Sequence, residues 1–164
     1  MIQLFHGSDV SVENPKVEAG RAKVDFGKGF YLSSLLEQAK SWARVIASRT
    51  RYGKSVLNTY DFDEVMAKNM VGARYKVFEF YDMEWLNYVI DCRCGGELQL
   101  QYDVIEGGVA NDNVIDTVED YENGIITAEQ ALGQLVYKKV NHQICIRSQV
   151  VIDTCLRFTG SEVL

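Results

Sequence analysis

Ile2-Gln3-Leu4-Phe5-His6-Gly7 opens the chain, and Asp25-Phe26-Gly27-Lys28-Gly29-Phe30-Tyr31-Leu32-Ser33-Ser34 follows after a polar interval. The first run is apolar and predicts a strand over 2–5, closed by a histidine and a glycine. The second predicts a strand-like segment over 24–33 whose glycines imply a bend or a close backbone approach. A histidine at the end of one strand, and an aromatic on a glycine-flanked strand that runs into a helix, suit a nucleotide. One hydrogen-bonds a sugar; the other offers a flat face to a ring. The chain has two histidines, so placing one here invites explanation. Taken singly, His6 also reads as a satisfied strand-end histidine and Tyr31 as a core aromatic.

Outward from these two runs, residues 7–23 are polar, contain Pro15 and Gly20 and predict a long loop. Ser34-Leu35-Leu36-Glu37 fits a capping box, and Leu35, Ala39, Trp42, Ala43 and Ile46 recur at helical spacing until Arg49, Arg51 and Gly53. Strands are predicted over 55–62, 102–109, 143–146 and 157–163, with a strand or strand-like connection over 73–80. Trp85, Leu86, Val89 and Ile90 mark a helix over 83–93, and a short helix is predicted over 115–121. Thr127-Ala128-Glu129-Gln130 is a second capping box, opening a helix through Tyr137. Residues 148–156 are ambiguous. The elements lack regular βαβ alternation, which predicts an α+β fold with largely antiparallel sheets. The aromatics Tyr75, Phe78, Phe80, Tyr81 and Trp85 read as core, or alternatively as a groove for a protein partner.

The 164 residues carry one proline and no linker, repeat or low-complexity tract, so 1–164 is read as a single domain. No run approaches the ~18 apolar residues of a membrane span, and the N-terminus lacks a basic region followed by an apolar core. The expectation is a cytoplasmic protein with no membrane partner. Cys92 and Cys94 are separated by one residue, where zinc pairs usually have two to four, and no histidine lies nearby. Cys92, Cys94, Cys145 and Cys155 are therefore read as reduced, partly buried thiols, with no metal site. A net charge of −6 argues against tight binding to bulk DNA or RNA. It leaves room for a small anionic cofactor, with Arg21, Lys23 and Lys28 either its local cations or a solvated basic loop.

Leu4-Phe5-His6-Gly7-Ser8, the run from Asp25 to Ser33, Gln38-Ala39, Trp42-Ala43, Gly108-Val109-Ala110-Asn111-Asp112 and His142-Gln143-Ile144 recur in this order along the chain. Together they resemble a family of small bacterial proteins of uncharacterised function that looks like a branch of the ADP-ribosyltransferase superfamily. Within it the pattern is similar to the His-Tyr-Glu group that includes diphtheria toxin and the poly(ADP-ribose) polymerases. The resemblance implies a split β-sandwich of two mostly antiparallel sheets flanked by helices, and cleavage of the nicotinamide–ribose bond of NAD. It implies catalytic roles for His6, Tyr31 and Gln143. It places His6 on a ribose hydroxyl, the Gly7 backbone on the carboxamide and Tyr31 on the nicotinamide face. Ser8, Ser33 and Asp112 join them as cofactor-binding candidates. Asp112 is equally an Asx turn or a helix cap. An unknown protein or nucleic-acid acceptor and an antitoxin are the partners implied, the chain being read as a possible toxin of a toxin–antitoxin pair.

The third position departs from the pattern. The His-Tyr-Glu group has a glutamate where this chain has Gln143. An amide still hydrogen-bonds a hydroxyl but supplies no negative charge to a cationic transition state. A bond to a charged partner contributes ~1.5–3 kcal/mol against ~1 for a neutral one, a difference of about one order of magnitude in rate. Either another carboxylate such as Asp112, or the acceptor, provides the charge, or the protein is a weak or inactive module that binds NAD or ADP-ribose. The arginine-modifying branch has two glutamates where this chain has Asn141 and Gln143, which makes arginine a poor acceptor. An RNA 2′-phosphotransferase is a third reading, lowered by the acidic balance. His142 faces away from Gln143 by strand alternation and is read as structural or surface.

Overall fold

The computed structural model describes residues 1–49, 53–110, 112–136 and 141–164, excepting the side chains of 112–114 and 136. Arg51, Asn111 and Tyr137 therefore lie outside the described residues. The fold is α+β, with two mostly antiparallel sheets and six α-helices among the described residues. No helix is long and apolar enough to cross a membrane among those residues.

The first sheet has the order β1 (Ile2–Ser8), β3 (Val56–Phe62), β7 (Leu156–Val163), all antiparallel. The second runs β2 (Phe30–Leu32), β6 (Gln143–Ile146), β5 (Val104–Gly107), β4 (Tyr75–Val77), with only β4 and β5 parallel. Among the described residues, one bridge joins the sheets. Phe5 and Ser33 exchange both backbone hydrogen bonds at 2.8 Å. Beyond that pair β1 and β2 separate.

Strand periodicity divides the core in two. Phe30, Leu32, Ile144 and Ile146 face the first sheet and pack with Leu4, Tyr60, Phe62, Val151 and Ile152. The alternate positions Ile105 and Cys145 face the other way, onto Phe26, Trp85, Leu86 and Val89. That second layer comes largely from α3 (Met83–Cys94), with α4 (Asp112–Glu122) adding Val118 and α5 (Ala128–Val136) adding Ala131 and Leu135. Helix α3 opens on the Asp82 carboxylate, which accepts from Trp85 N at 2.9 Å, and closes on Gly95 at φ 79°. The Thr127–Gln130 box forms as expected, Thr127 Oγ1 accepting from Gln130 N and Gln130 Oε1 from Thr127 N.

Several expectations need correction. Residues 24–29 turn, and only Phe30–Leu32 is strand, because Tyr31 anchors the preceding glycine loop. Strand β1 runs on to Ser8, and the presumed loop contains a turn of 3₁₀ helix at Val17–Ala19. Ser34 is not a helix cap. α1 (Leu36–Ser48) has Leu35 at its N-cap with no side-chain bond, since the Ser34 hydroxyl is held by His142 instead. The buried residues of α1 are Ala39 and Ala43, while Trp42 is 40% exposed between Arg21 and Arg49, whose guanidinium carbons lie 5.7 and 5.4 Å from its ring. The helix lies so close to β1 that only small residues fit beneath it. Strand β4 is shorter than 73–80, and Phe80 is 72% exposed rather than core. Two helices were not anticipated as such: α2 (Glu64–Asn69), capped by Asp63, and α6 (Gln149–Cys155) in the ambiguous segment. Cys92, Cys145 and Cys155 are buried thiols, whereas Cys94 is exposed.

Candidate functional site

The opening between β1 and β2 begins at His6. Its Nδ1 lies 2.7 Å from the Tyr31 carbonyl, which can only accept, so Nδ1 carries the proton. In the neutral ring Nε2 then carries a lone pair and can only accept. Burial lowers the His6 pKa below its usual 6.5, outweighing the upward pull of the Tyr31 bond. The ring also packs on Phe30, with centroids 4.5 Å apart. His6 therefore reaches Tyr31 through its main chain. The two rings sit against opposite faces of β2.

This lowered pKa has a sign. The fold prefers neutral His6, so the stability it contributes is full above pH 6.5 and is lost as pH falls through that value, where the unfolded chain takes up a proton first. Urea midpoints measured from about pH 7.5 to about pH 5.5 should fall less steeply in His6→Asn than in wild type.

Gly7 follows on β1. Antiparallel pairing alternates the direction of backbone groups. Phe5 sends its N–H and C=O to Ser33, so Gly7, two residues on, sends its own toward the β2 side, where the strands have parted. A Cβ at Gly7 would stand 2.2 Å from Ala39 O and 2.6 Å from Ala43 N. The same glycine lets α1 approach, and its peptide is buried beneath the helix.

Tyr31 lies on the face shared with Cys145 and the α3 layer. Its hydroxyl donates to Gly27 O at 2.7 Å and accepts from Phe26 N at 3.0 Å, pinning the loop that carries Asp25. Burial raises the phenol pKa well above 10, so the ring is neutral.

Gln143 begins β6 on the same face and is 8% exposed. Its Nε2 lies 3.3 Å from Asp25 Oδ2 and 3.4 Å from Gly108 O. Both neighbours are acceptors, which fixes the amide with nitrogen toward them and Oε1 away. Asp25 is buried and, among the described residues, receives four donors: Arg93 Nε and Nη2 on Oδ1 at 3.1 and 2.9 Å, Ala110 N on Oδ2 at 2.9 Å, and Gln143. Trp85 Nε1 donates to the Gly108 carbonyl and the Tyr81 hydroxyl to that of Val109, so the 108–110 segment is held from below.

Ser8 and Ser33 serve the scaffold. Ser8 Oγ donates to Val10 O and accepts from Asn58 Nδ2. The buried Asn58 also bonds Val12 N, His6 O and Val10 O, fixing the end of β1. Ser33 Oγ donates to His142 O and accepts from Leu35 N. Asp112 opens α4, and its side chain lies outside the described residues.

His142 has a larger structural part than a surface residue. Its Nε2 is 2.9 Å from Glu106 Oε1 and its Nδ1 3.1 Å from Ser34 Oγ, while its backbone is bracketed by Gln38. Hydrogen bonds from His142 and Tyr75 lower the Glu106 pKa. Sequence reasoning passed over Asp25, Arg93, Asn58 and Glu106, because their partners lie 31 to 118 residues away along the chain.

A pocket of about 220 Å³ between Phe78, Tyr88 and Tyr102 contains none of the anticipated site residues. No group of three or more His, Cys, Asp or Glu side chains among the described residues is placed to hold a metal.

A family model described as "Protein of unknown function (DUF3990)" matches residues 2–158. The chain belongs to the DUF3990 family. The match spans both sheets and every anticipated site residue, so in this DUF3990 chain the site is part of the family domain. No curated protein and no solved structure matches.

Proposed function

We propose that this DUF3990 protein is an NAD-dependent ADP-ribosyltransferase built on an ADP-ribosyltransferase-like split β-sandwich. The observation that carries the reading is the parting of β1 and β2 beyond the Phe5–Ser33 bridge, with the Gly7 peptide facing the opening. A nicotinamide carboxamide needs one donor and one acceptor side by side, and a glycine peptide with no Cβ offers both. His6 Nε2 accepts from a ribose hydroxyl and Gln143 Oε1 accepts from a second, while Tyr31, packed on the opposite face of β2 from His6, serves by pinning the glycine loop that carries Asp25.

Such a site suits this bond. The C1′–N bond breaks with its electron pair going to the nicotinium ring, which leaves neutral and needs no general acid. The ribose becomes oxocarbenium-like, and the acceptor attacks C1′ and loses a proton. The protein's task is to hold the dinucleotide in a reactive pose and favour positive charge at the sugar. A macromolecular acceptor, protein or nucleic acid, and an antitoxin partner complete the reading.

The neutral amide of Gln143 favours a second reading, a module that binds NAD or ADP-ribose without turnover. The purified chain incubated with NAD labelled in the adenylate, alone and with cell lysate, separates them. Free nicotinamide and label on a macromolecule are expected, both lost in Tyr31→Ala. Calorimetric NAD binding without nicotinamide release supports the binding module. Neither binding nor release contradicts both.

A further inference from the structure

The buried carboxylate beside Gln143 has no part in the reading above. We propose that Asp25 is a positioning residue whose carboxylate holds the Gln143 amide with Oε1 turned to the cleft, and that it makes an amide rather than a carboxylate the fitting group at position 143. The proposal takes its meaning at the ribose from the transferase reading, but its geometry stands independently.

The donor count carries the argument. Asp25 Oδ1 is occupied by two Arg93 nitrogens, and Oδ2 receives Ala110 N and Gln143 Nε2. Nε2 has two protons and two acceptors, Asp25 Oδ2 and Gly108 O. A rotated amide would place Oε1 against both acceptors, so only one orientation is stable. A glutamate at 143 would bring a second carboxylate to about the same 3.3 Å from the first and face the Gly108 carbonyl as well. Like charges at that distance in a buried site repel strongly. The chain therefore places the negative charge one layer deeper, on a loop anchored by the Tyr31 hydroxyl at Phe26 N and Gly27 O. Arg93 holds that carboxylate in place, and the amide relays its orientation to the cleft.

The test measures unfolding midpoints at neutral pH for the full chain and for Gln143→Glu, Gln143→Met, Asp25→Asn and the Asp25→Asn/Gln143→Glu double variant. Gln143→Glu is expected to lower the midpoint more than Gln143→Met, which loses the same donor without adding charge. In the Asp25→Asn background the Gln143→Glu loss should shrink to half or less. Should Asp25→Asn fail to fold, the comparison of Glu with Met at 143 still decides. Equal losses for Glu and Met, or a Glu loss that is the same in both backgrounds, overturn the proposal. With NAD turnover as the second readout, Asp25→Asn should lower kcat at least tenfold while KM for NAD stays within threefold. An unchanged kcat in a folded variant also overturns it. A wild-type chain that releases no nicotinamide counts against the transferase reading, and the unfolding comparison then decides this proposal alone.

Discussion

Gly7→Ala is expected to destabilise the protein by about 1–3 kcal/mol, and by more if α1 cannot withdraw. The added methyl meets backbone on every near side: Ala39 O at 2.2 Å, Ala43 N at 2.6 Å and Ala43 Cα at 3.1 Å. A flexible side chain could swing away from such a contact, but a helix must move as a body. β1 is held from behind by seven paired positions on β3 and by Asn58, so it yields little. Helix α1 then has to lift from the opening, carrying with it Gln38, whose side chain brackets His142 immediately before Gln143. Urea titration should show the midpoint shift, and calorimetry should show weaker NAD binding than the stability loss alone explains. A variant as stable as wild type would mean that α1 does not rest on the Gly7 peptide.

Arg93→Ala is the second large effect. Removing one member of a buried ion pair costs about 3–5 kcal/mol, because the other charge stays behind without its partner. Arg93 and Asp25 side chains keep 19% and 11% exposure, which lets water soften the loss to roughly 2–4 kcal/mol. The orphaned carboxylate retains Ala110 N and Gln143 Nε2, so the amide should stay oriented while the loop loosens. Denaturant titration is expected to show the loss, with Arg93→Lys recovering only part of it, since Nε and Nη2 converge on one oxygen in a way a single ammonium does not match. A loss below about 1 kcal/mol, the range of exposed pairs, would contradict the buried pair described here.

Much of the scaffold was legible from local pattern, because local chemistry decides it. Strand Gln143–Ile146 and the Thr127–Gln130 box follow from a short apolar run and from a threonine three residues before a glutamine. Helix α2 escaped the reading, because its six residues fit between two strands and its Asp63 cap bonds Met66 N, one turn on. The misread start of α1 shows where local reasoning fails. Ser34 looks like a cap only until His142, 108 residues later, claims its hydroxyl. The candidate site divides in the same way. His6, Gly7 and Tyr31 stand where two short strands part, and that is visible as a pair of motifs. The Asp25–Arg93–Gln143–Ala110 group is not, because it forms only when loop, α3, β6 and the 108–110 segment close on one another. Trp42 illustrates the opposite error. Its apolar spacing groups it with Ala39 and Ala43, but those two rest on the Gly7 backbone while Trp42 is 40% exposed.

The measurement that tests the central claim most directly is a crystal structure of the wild-type chain soaked with NAD. The account predicts the carboxamide on the Gly7 N–H and C=O, with His6 Nε2 and Gln143 Oε1 each within hydrogen-bond distance of a hydroxyl on the nicotinamide ribose. A dinucleotide seated elsewhere, for instance in the pocket lined by Phe78, Tyr88 and Tyr102, with the space beside Gly7 unchanged, would contradict it.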